Sequence, residues 1–377
     1  MSISKITGAA PWFGESMDPI LQDIRDILSS GELVKGKHTA KFEDRIANMA
    51  GTKYSAVVNS GGTALELALL ALDIKGKEVI VPTQTFIASA NAVTRAGGYP
   101  VFADIDKDTL CLNLEDVVRK IGPNTAGIMS VHMFGLIPPS IIHLKNLCKE
   151  RGLFLIEDAA HAHGASFRGE LAGGIGDVGC FSFFATKVVT TGEGGGVTTN
   201  RKDIYEKIIS FRDHGRSPDT TLFTLPGNNF RLSEIQSAIG WHQMDLLKVI
   251  LTHRNIIAAI YREGFKENQF FISLPDYEES YHAYWRYPAY LTESINRLLF
   301  QQAMWERHGI RITWMYEPLC HQQPVSTASN SFKYFELPVA EWTIKHLINL
   351  PTHMGVSEED AKRVVSSVKE EIQRLKQ

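Results

Sequence analysis

The stretch from Phe154 to Gly196, FLIEDAAHAHGASFRGELAGGIGDVGCFSFFATKVVTTGEGGG, constrains the fold of this chain more than any other. It begins within an apolar run, Leu153 to Ile156, that stops abruptly at Glu157-Asp158. A strand buried on both faces reads this way when it delivers a carboxylate at its carboxyl end. A second apolar run, Cys180 to Phe184, follows a glycine-rich passage and ends shortly before Lys187. Lys187 meets no acidic residue until Glu193 and is flanked by Ala185, Thr186, Val188, Val189 and Thr190. Surface lysines usually keep charged or polar company. An amine that must be partly neutral to attack a carbonyl needs drier surroundings. The pattern therefore predicts an acid and an amine brought together at strand ends.

Such a pair suits pyridoxal phosphate, which needs a lysine for covalent attachment and an acid facing its pyridinium nitrogen, so that the ring can act as an electron sink. Two motifs carry more. Glu157 to Ala165 read EDAAHAHGA, and Phe181 to Gly195 read FSFFATKVVTTGEGG. In this order they resemble the signatures E-D-A-A-x-A-H-G-A and F-S-F-x-x-x-K-x-x-x-x-G-E-G-G of the DegT/DnrJ/EryC1/StrS family of sugar and cyclitol aminotransferases. The resemblance implies a fold type I enzyme that uses pyridoxal 5'-phosphate to move an amino group from glutamate or glutamine to a keto sugar, nucleotide-linked or not, or to a ketocyclitol. The wording comes closest to the branch acting on cyclitols and 3-amino-5-hydroxybenzoate. Lys187 is then the attachment point and the general base and acid, and Asp158 the partner of the ring nitrogen. His161 stands where most members carry glutamine, as a hydrogen-bond donor near the phenolic oxygen of the cofactor.

Tyr54 to Val58 reads as a strand that turns through Asn59-Ser60-Gly61-Gly62 directly into a helix. The N–H groups exposed at such a turn, with the helix dipole behind them, can hold a phosphate dianion. Gly61 and Gly62 are the expected phosphate-binding amides. By the resemblance, Gly62 replaces a usual threonine, Thr63 is the candidate to restore that hydroxyl, and Ser182 joins the phosphate. Glu78 to Val81 is the next strand, and in the following PTQTF the resemblance lays Phe86 flat on one face of the pyridine ring. Val101 to Ala103 and Ile128 to Val131 are further strands, the latter running into His132 and then an apolar turn from which no polar role is expected. With Gly196 to Thr199, strands and helical patterns alternate up to about residue 200, which argues for an α/β fold with a mostly parallel, seven-stranded sheet and a ligand at the strands' carboxyl ends. The glycines after Lys187 precede a strand, the wrong context for a nucleotide loop.

Gly227 to Gly240 read GNNFRLSEIQSAIG, resembling the family segment G-Y-N-Y-R-x-S-E-I-Q-A-A. That resemblance sends Asn229 across a homodimer interface to the partner's cofactor phosphate and makes each active site composite. A helical pattern from Ser233 to about Arg254 links a large cofactor-binding domain (1–250) to a smaller C-terminal α+β domain (251–377), with strands expected at Ala283 to Tyr290 and Ile310 to Trp314. Near the start, Asp18-Pro19 is expected to open a helix that Gly31 stops.

Composition narrows the classes. A net charge of -3 over 377 residues leaves no basic footprint for nucleic acid or an anionic membrane. The cysteines (Cys111, Cys148, Cys180, Cys320) lie far apart without zinc spacing, so no metal is expected and they read as reduced thiols of a cytoplasmic protein. The opening residues lack a signal peptide's apolar core, and no apolar run approaches a bilayer span. Two readings compete. The family's dehydratases, which eliminate water from a keto sugar, carry histidine at the lysine position, so Lys187 speaks against them. A non-catalytic cofactor-binding scaffold would not need both Lys187 and Asp158.

Overall fold

The computed structural model describes residues 5–327 and 336–376. Its strands are β1 (Tyr54–Val58), β2 (Glu78–Pro82), β3 (Tyr99–Ala103), β4 (Thr125–Val131) and β5 (Phe154–Asp158). A short hairpin, β6 (Ser166–Phe167) and β7 (Glu170–Leu171), precedes β8 (Val178–Ser182) and β9 (Gly195–Thr199). Seven of these form one sheet in the order β1-β9-β8-β5-β4-β2-β3. The run from β8 to β3 is parallel, and β9 is antiparallel to both its neighbours. The strands are mostly apolar, with Glu157 and Asp158 closing β5, and are buried almost throughout, as a sheet covered on both faces requires.

The reversal at β9 has a consequence for Lys187. An antiparallel return keeps the connection 183–194 at the carboxyl end of β8, whereas a parallel crossover would carry it to the far edge. The return is pinned by backbone hydrogen bonds from Phe183 N to Gly194 O (2.8 Å) and from Thr191 N to Phe183 O (2.9 Å).

The C-terminal part contains β10 (Phe271–Ser273), β11 (Ser280–Tyr281), β12 (Tyr287–Leu291) and β13 (Leu347–Leu350). β10-β12-β13 form an antiparallel sheet, and β11 joins β6. With helices Arg297–His308 and Glu358–Leu375 this sheet encloses a second core around Phe271, Phe300, Ile348 and Val364, in which Ile6 also packs.

Several expectations shift at element boundaries. The long helix runs Glu234–Phe265, so residues 250 and 251 lie inside it. The helical pattern looked finished at Arg254, but that guanidinium is buried and donates to Tyr284 O, Trp285 O and Thr352 Oγ1, and Ile257, Ala258, Tyr261 and Phe265 continue the buried stripe. The strand expected from Ala283 begins only at Tyr287, because Tyr284 takes φ 42° and turns the chain. Ile310 to Trp314 makes isolated bridges, Ile6 to Ile310 and Thr313 to Asn349, rather than a strand. The first helix starts at Met17, which places Asp18 in its first turn and not at its cap.

Candidate active site

The carboxyl ends of β1, β2, β5 and β8 surround a cavity of about 430 Å³. Its walls include Gly61, Gly62, Phe86, Asp158, His161, Ser182 and Lys187. Seven of the eight residues singled out in the sequence thus meet in one place. Asn229 does not: it is exposed, bridged to Asp213, and its side-chain oxygen accepts a hydrogen bond from Arg231 N at 3.4 Å. A wider groove of about 580 Å³ between Glu263, Phe270, Lys369 and Lys376 holds none of the candidates.

One wall is the turn after β1. Ser60 caps the helix Gly61–Ala71 by accepting a hydrogen bond from Thr63 N, which leaves the N–H groups of Gly61 and Gly62 leading the first turn without helical acceptors. A Cβ on Gly61 would lie 2.6 Å from Ser182 Cβ, so only glycine lets this helix end approach β8 so closely. Gly62 has room: a Cβ there would find nothing nearer than 3.7 Å. Thr63 does not restore a hydroxyl to the pocket, because its side chain donates to Asn59 Oδ1 at 2.7 Å.

Asp158 lies at the floor. Its Oδ2 accepts from Ser89 Oγ at 2.7 Å and its Oδ1 from Ala160 N at 3.2 Å. Burial raises its pKa despite these bonds and the nearby Lys187, and a cation seated against it would favour the ionised form. Glu157, its neighbour in sequence, faces away from the pocket. It accepts N–H groups from Gly173 (2.9 Å), Ile175 (2.7 Å) and Gly176 (2.7 Å) and pairs with His132 at 2.8 Å. That histidine directly follows β4, ahead of the apolar turn.

Lys187 is half-buried and lines the cavity. Burial, reinforced by the Arg286 charge and opposed by Asp158, lowers its amine to about 7. Its Nζ lies 4.2 Å from the ring centroid of Trp285, whose Nε1 donates to Thr186 O at 2.6 Å and so ties down the backbone just before the lysine. His161 stacks on the same indole (3.9 Å, 19°). Its Nδ1 accepts from Phe134 N at 3.3 Å and its Nε2 meets Tyr316 Oη at 3.0 Å. Burial drives its pKa well below the usual value. The ring is therefore neutral with its proton on Nε2, the only arrangement that leaves Nδ1 free to accept. Phe86 is 60 % exposed at the rim, its ring 6.3 Å from Tyr316.

Sequence reasoning missed Ser89, Trp285 and Tyr316. Ser89 carried a weak signal, four residues after Thr85 on the segment that follows β2, with its hydroxyl 3.0 Å from that of Thr85. Trp285 and Tyr316 come from the C-terminal part and carried none. Tyr316 holds φ 71°, a rare backbone state that sequence does not announce for tyrosine.

The DegT/DnrJ/EryC1/StrS aminotransferase family matches residues 16–369. The chain belongs to this family. Among its curated relatives are the GDP-perosamine synthase of Caulobacter vibrioides, 34% identical over 97% of this chain and 98% of that protein, and a UDP-N-acetyl-3-dehydro-alpha-D-glucosamine 3-aminotransferase of Acidithiobacillus ferrooxidans, 32% identical over 95% of each. Among solved structures, PseC of Helicobacter pylori, an aminotransferase of pseudoaminic acid biosynthesis, superimposes with a TM-score of 0.90 at 27% identity, covering 98% of this chain and 100% of that one. DesI, solved with its TDP-sugar product, gives 0.90 at 26% over 100% and 95%.

As a member of the family, the protein is a pyridoxal-phosphate-dependent aminotransferase of fold type I. The cavity fits that cofactor. A helix start with two free amides suits a phosphate, a buried carboxylate suits a ring nitrogen, and an amine near neutrality suits carbonyl attack. No helix of the described residues is long and apolar enough to cross a membrane, and among the same residues no His/Cys/Asp/Glu group could hold a metal ion.

Proposed function

We propose that this enzyme transfers an amino group from glutamate or glutamine to the keto carbon of a nucleotide-linked sugar. The observation that carries the reading is the Lys187 amine, lowered to about 7, in the same cavity as a buried, hydrogen-bonded Asp158. The sugar is supported by the relatives, several of which are named as enzymes of GDP- or UDP-linked sugars. Those names favour a nucleotide-linked acceptor over a free cyclitol.

In this reading Lys187 holds the cofactor and, once released by the donor, takes the proton from the donor's α-carbon. In the second half it delivers a proton to the sugar carbon that gains nitrogen. An amine near neutrality can do both at physiological pH. Asp158, oriented by Ser89 and Ala160 N, keeps a proton on the ring nitrogen that faces it. The bound cofactor supplies an electron sink for the α-carbanion. Gly61, Gly62 and Ser182 take the phosphate, and Phe86 covers one face of the ring. His161, neutral with its proton on Nε2, donates toward the phenolic oxygen or holds Tyr316, which lies on the same side. Asn229 serves the neighbouring subunit's site across a homodimer. A dehydratase remains disfavoured, since Lys187 is present and its amine opens on the cavity.

The test is direct. The purified enzyme with its cofactor, given glutamate and then a panel of GDP-, UDP- and TDP-linked keto sugars beside free ketocyclitols, should form an amino sugar from at least one nucleotide-linked member. Conversion of cyclitols alone, or release of water in place of amine gain, overturns the reading.

A further inference from the structure

His161 and Tyr316 both line the cavity, and the hydrogen bonds around the imidazole have a fixed direction. The Phe134 N–H faces Nδ1 at 3.3 Å, and a backbone N–H can only donate, so Nδ1 accepts. A proton on that nitrogen would oppose the amide, which excludes the imidazolium as well as the other tautomer. The one ring proton therefore sits on Nε2, 3.0 Å from Tyr316 Oη. The two rings lie 11° from coplanar with centroids 6.2 Å apart, edge to edge as an in-plane hydrogen bond requires. The imidazole is held in this plane, stacked on Trp285 at 3.9 Å with Phe134 nearly parallel at 6.2 Å. Tyr316 Oη thus receives the proton of His161 and cannot give its own back to that ring. Among the described residues no other group accepts from the Tyr316 hydroxyl. Burial, reinforced by the Asp158 charge, raises the pKa of the phenol, so its proton stays in place. A hydroxyl in this state offers that proton to whatever occupies the cavity.

We propose that Tyr316, and not His161, is the donor to the cofactor's phenolic oxygen, with His161 a positioning residue that fixes the direction in which the tyrosine hydroxyl gives its proton. The inference rests on the reading above and chooses between its two roles for His161, whose single proton is already committed to Tyr316. The phenolic oxygen carries negative charge and sits on the ring carbon beside the one that bears the carbonyl, along the edge that leads to the ring nitrogen. Its donor has to come from the wall between Lys187 and Asp158. Both side chains stand on that wall: His161 feels the Lys187 charge, and Tyr316 feels the charge of Asp158. Glutamine at this position could play the same part, its amide oxygen accepting from Phe134 N and its amide N–H donating to Tyr316. The relay therefore needs one acceptor and one donor at position 161, not an imidazole as such.

Two measurements on the holoenzyme test this without turnover. With histidine labelled at its ring nitrogens, NMR should show His161, identified among the 13 histidines by its loss in H161Q, protonated on Nε2 and accepting at Nδ1 at neutral pH. The visible absorbance of the bound cofactor, titrated against pH, reads the proton affinity of the nitrogen that joins it to Lys187. That affinity rises when the neighbouring oxygen loses the donor to its negative charge. In Y316F it should increase by about tenfold. H161Q, which keeps one acceptor and one donor, should stay within about threefold of wild type, and H161L should follow Y316F. The double variant Y316F/H161L should shift no further than Y316F alone, because the two side chains act in series. A midpoint that moves in H161L but not in Y316F puts His161 on the oxygen and overturns the proposal. So do additive shifts, the opposite tautomer, or a Y316F enzyme with an unmoved midpoint that is slowed only toward a GDP-linked keto sugar, which would give the hydroxyl to the sugar. If H161L fails to bind cofactor, Y316F and H161Q carry the test. Wild type that binds cofactor yet reacts with no amino acid would instead sink the aminotransferase reading, while the midpoints still decide the Tyr316 contact.

Discussion

At about 7 the Lys187 amine titrates where an ordinary lysine stays charged. Below that value it is an ammonium with no lone pair, and above it a nucleophile. Acylation of cofactor-free protein by a dilute anhydride should therefore rise at Lys187 through about 7 and level off, while surface lysines climb toward about 10.4; peptide mapping against pH reads this, and a Lys187 profile indistinguishable from its neighbours would refute the dry-amine account. Borohydride reduction of the holoenzyme should fix cofactor to Lys187 alone, and K187A should lose at least about 10⁴-fold in turnover. D158N should keep most of its cofactor affinity and lose about 10²-fold in turnover, since the charge matters in the carbanionic transition state rather than in the ground state. The two glycines beside Ser182 separate sharply. G61A drives a Cβ to 2.6 Å from Ser182 Cβ and should cost about 1–3 kcal/mol with a matching loss of cofactor, whereas G62A meets only ordinary contacts and should stay within about 1 kcal/mol of wild type. Thermal melts with and without cofactor decide between them.

At the scale of elements, the loop 172–176 is held by an acid that does no chemistry. Glu157, the last residue but one of β5, points away from the cavity and gathers three backbone N–H groups and His132 in a fully buried site. Removing it leaves those donors unpaired. E157A should lower stability by about 3 kcal/mol or more, read by urea unfolding, while any folded fraction keeps near-normal turnover. A mutant that folds as wild type but is inactive would move Glu157 into the reaction. The adjacent carboxylates thus divide by strand alternation, one facing the cavity and one the loop behind it.

For the whole molecule the decisive residue is Asn229. It is exposed and lies outside its own chain's cavity, on a segment beside exposed Leu222 and Phe223. Exposed aromatic and aliphatic side chains near a cavity rim, Phe86 and Phe184 among them, suit burial against a second copy. If Asn229 serves the partner's phosphate, K187A and N229A chains should be separately impaired. Mixed at equal amounts and allowed to exchange, they should recover about a quarter of wild-type activity, because half the dimers are hybrids with one complete site each. Background activity after proven exchange would place the contact elsewhere.

The sequence by itself determined what depends on local chemistry and chain continuity. Alternating buried strands and helices, the acid at the end of β5, the lysine after β8 and the glycine turn after β1 were legible because a run of apolar residues, a glycine pair or an isolated lysine leaves a mark within a few positions. Tertiary structure alone decided what depends on residues far apart in the chain. Arg254 looked like the end of a helix until carbonyls about thirty positions away satisfied it. Trp285 and Tyr316 enter the cavity through positive φ at Tyr284 and at Tyr316 itself, conformations that neither residue's own preference favours and that the surrounding packing imposes. The state of each charge was decided the same way. A lysine's type sets where it can titrate, but only burial in the fold beside Trp285, with the Arg286 charge adding to it, brings its amine near neutrality.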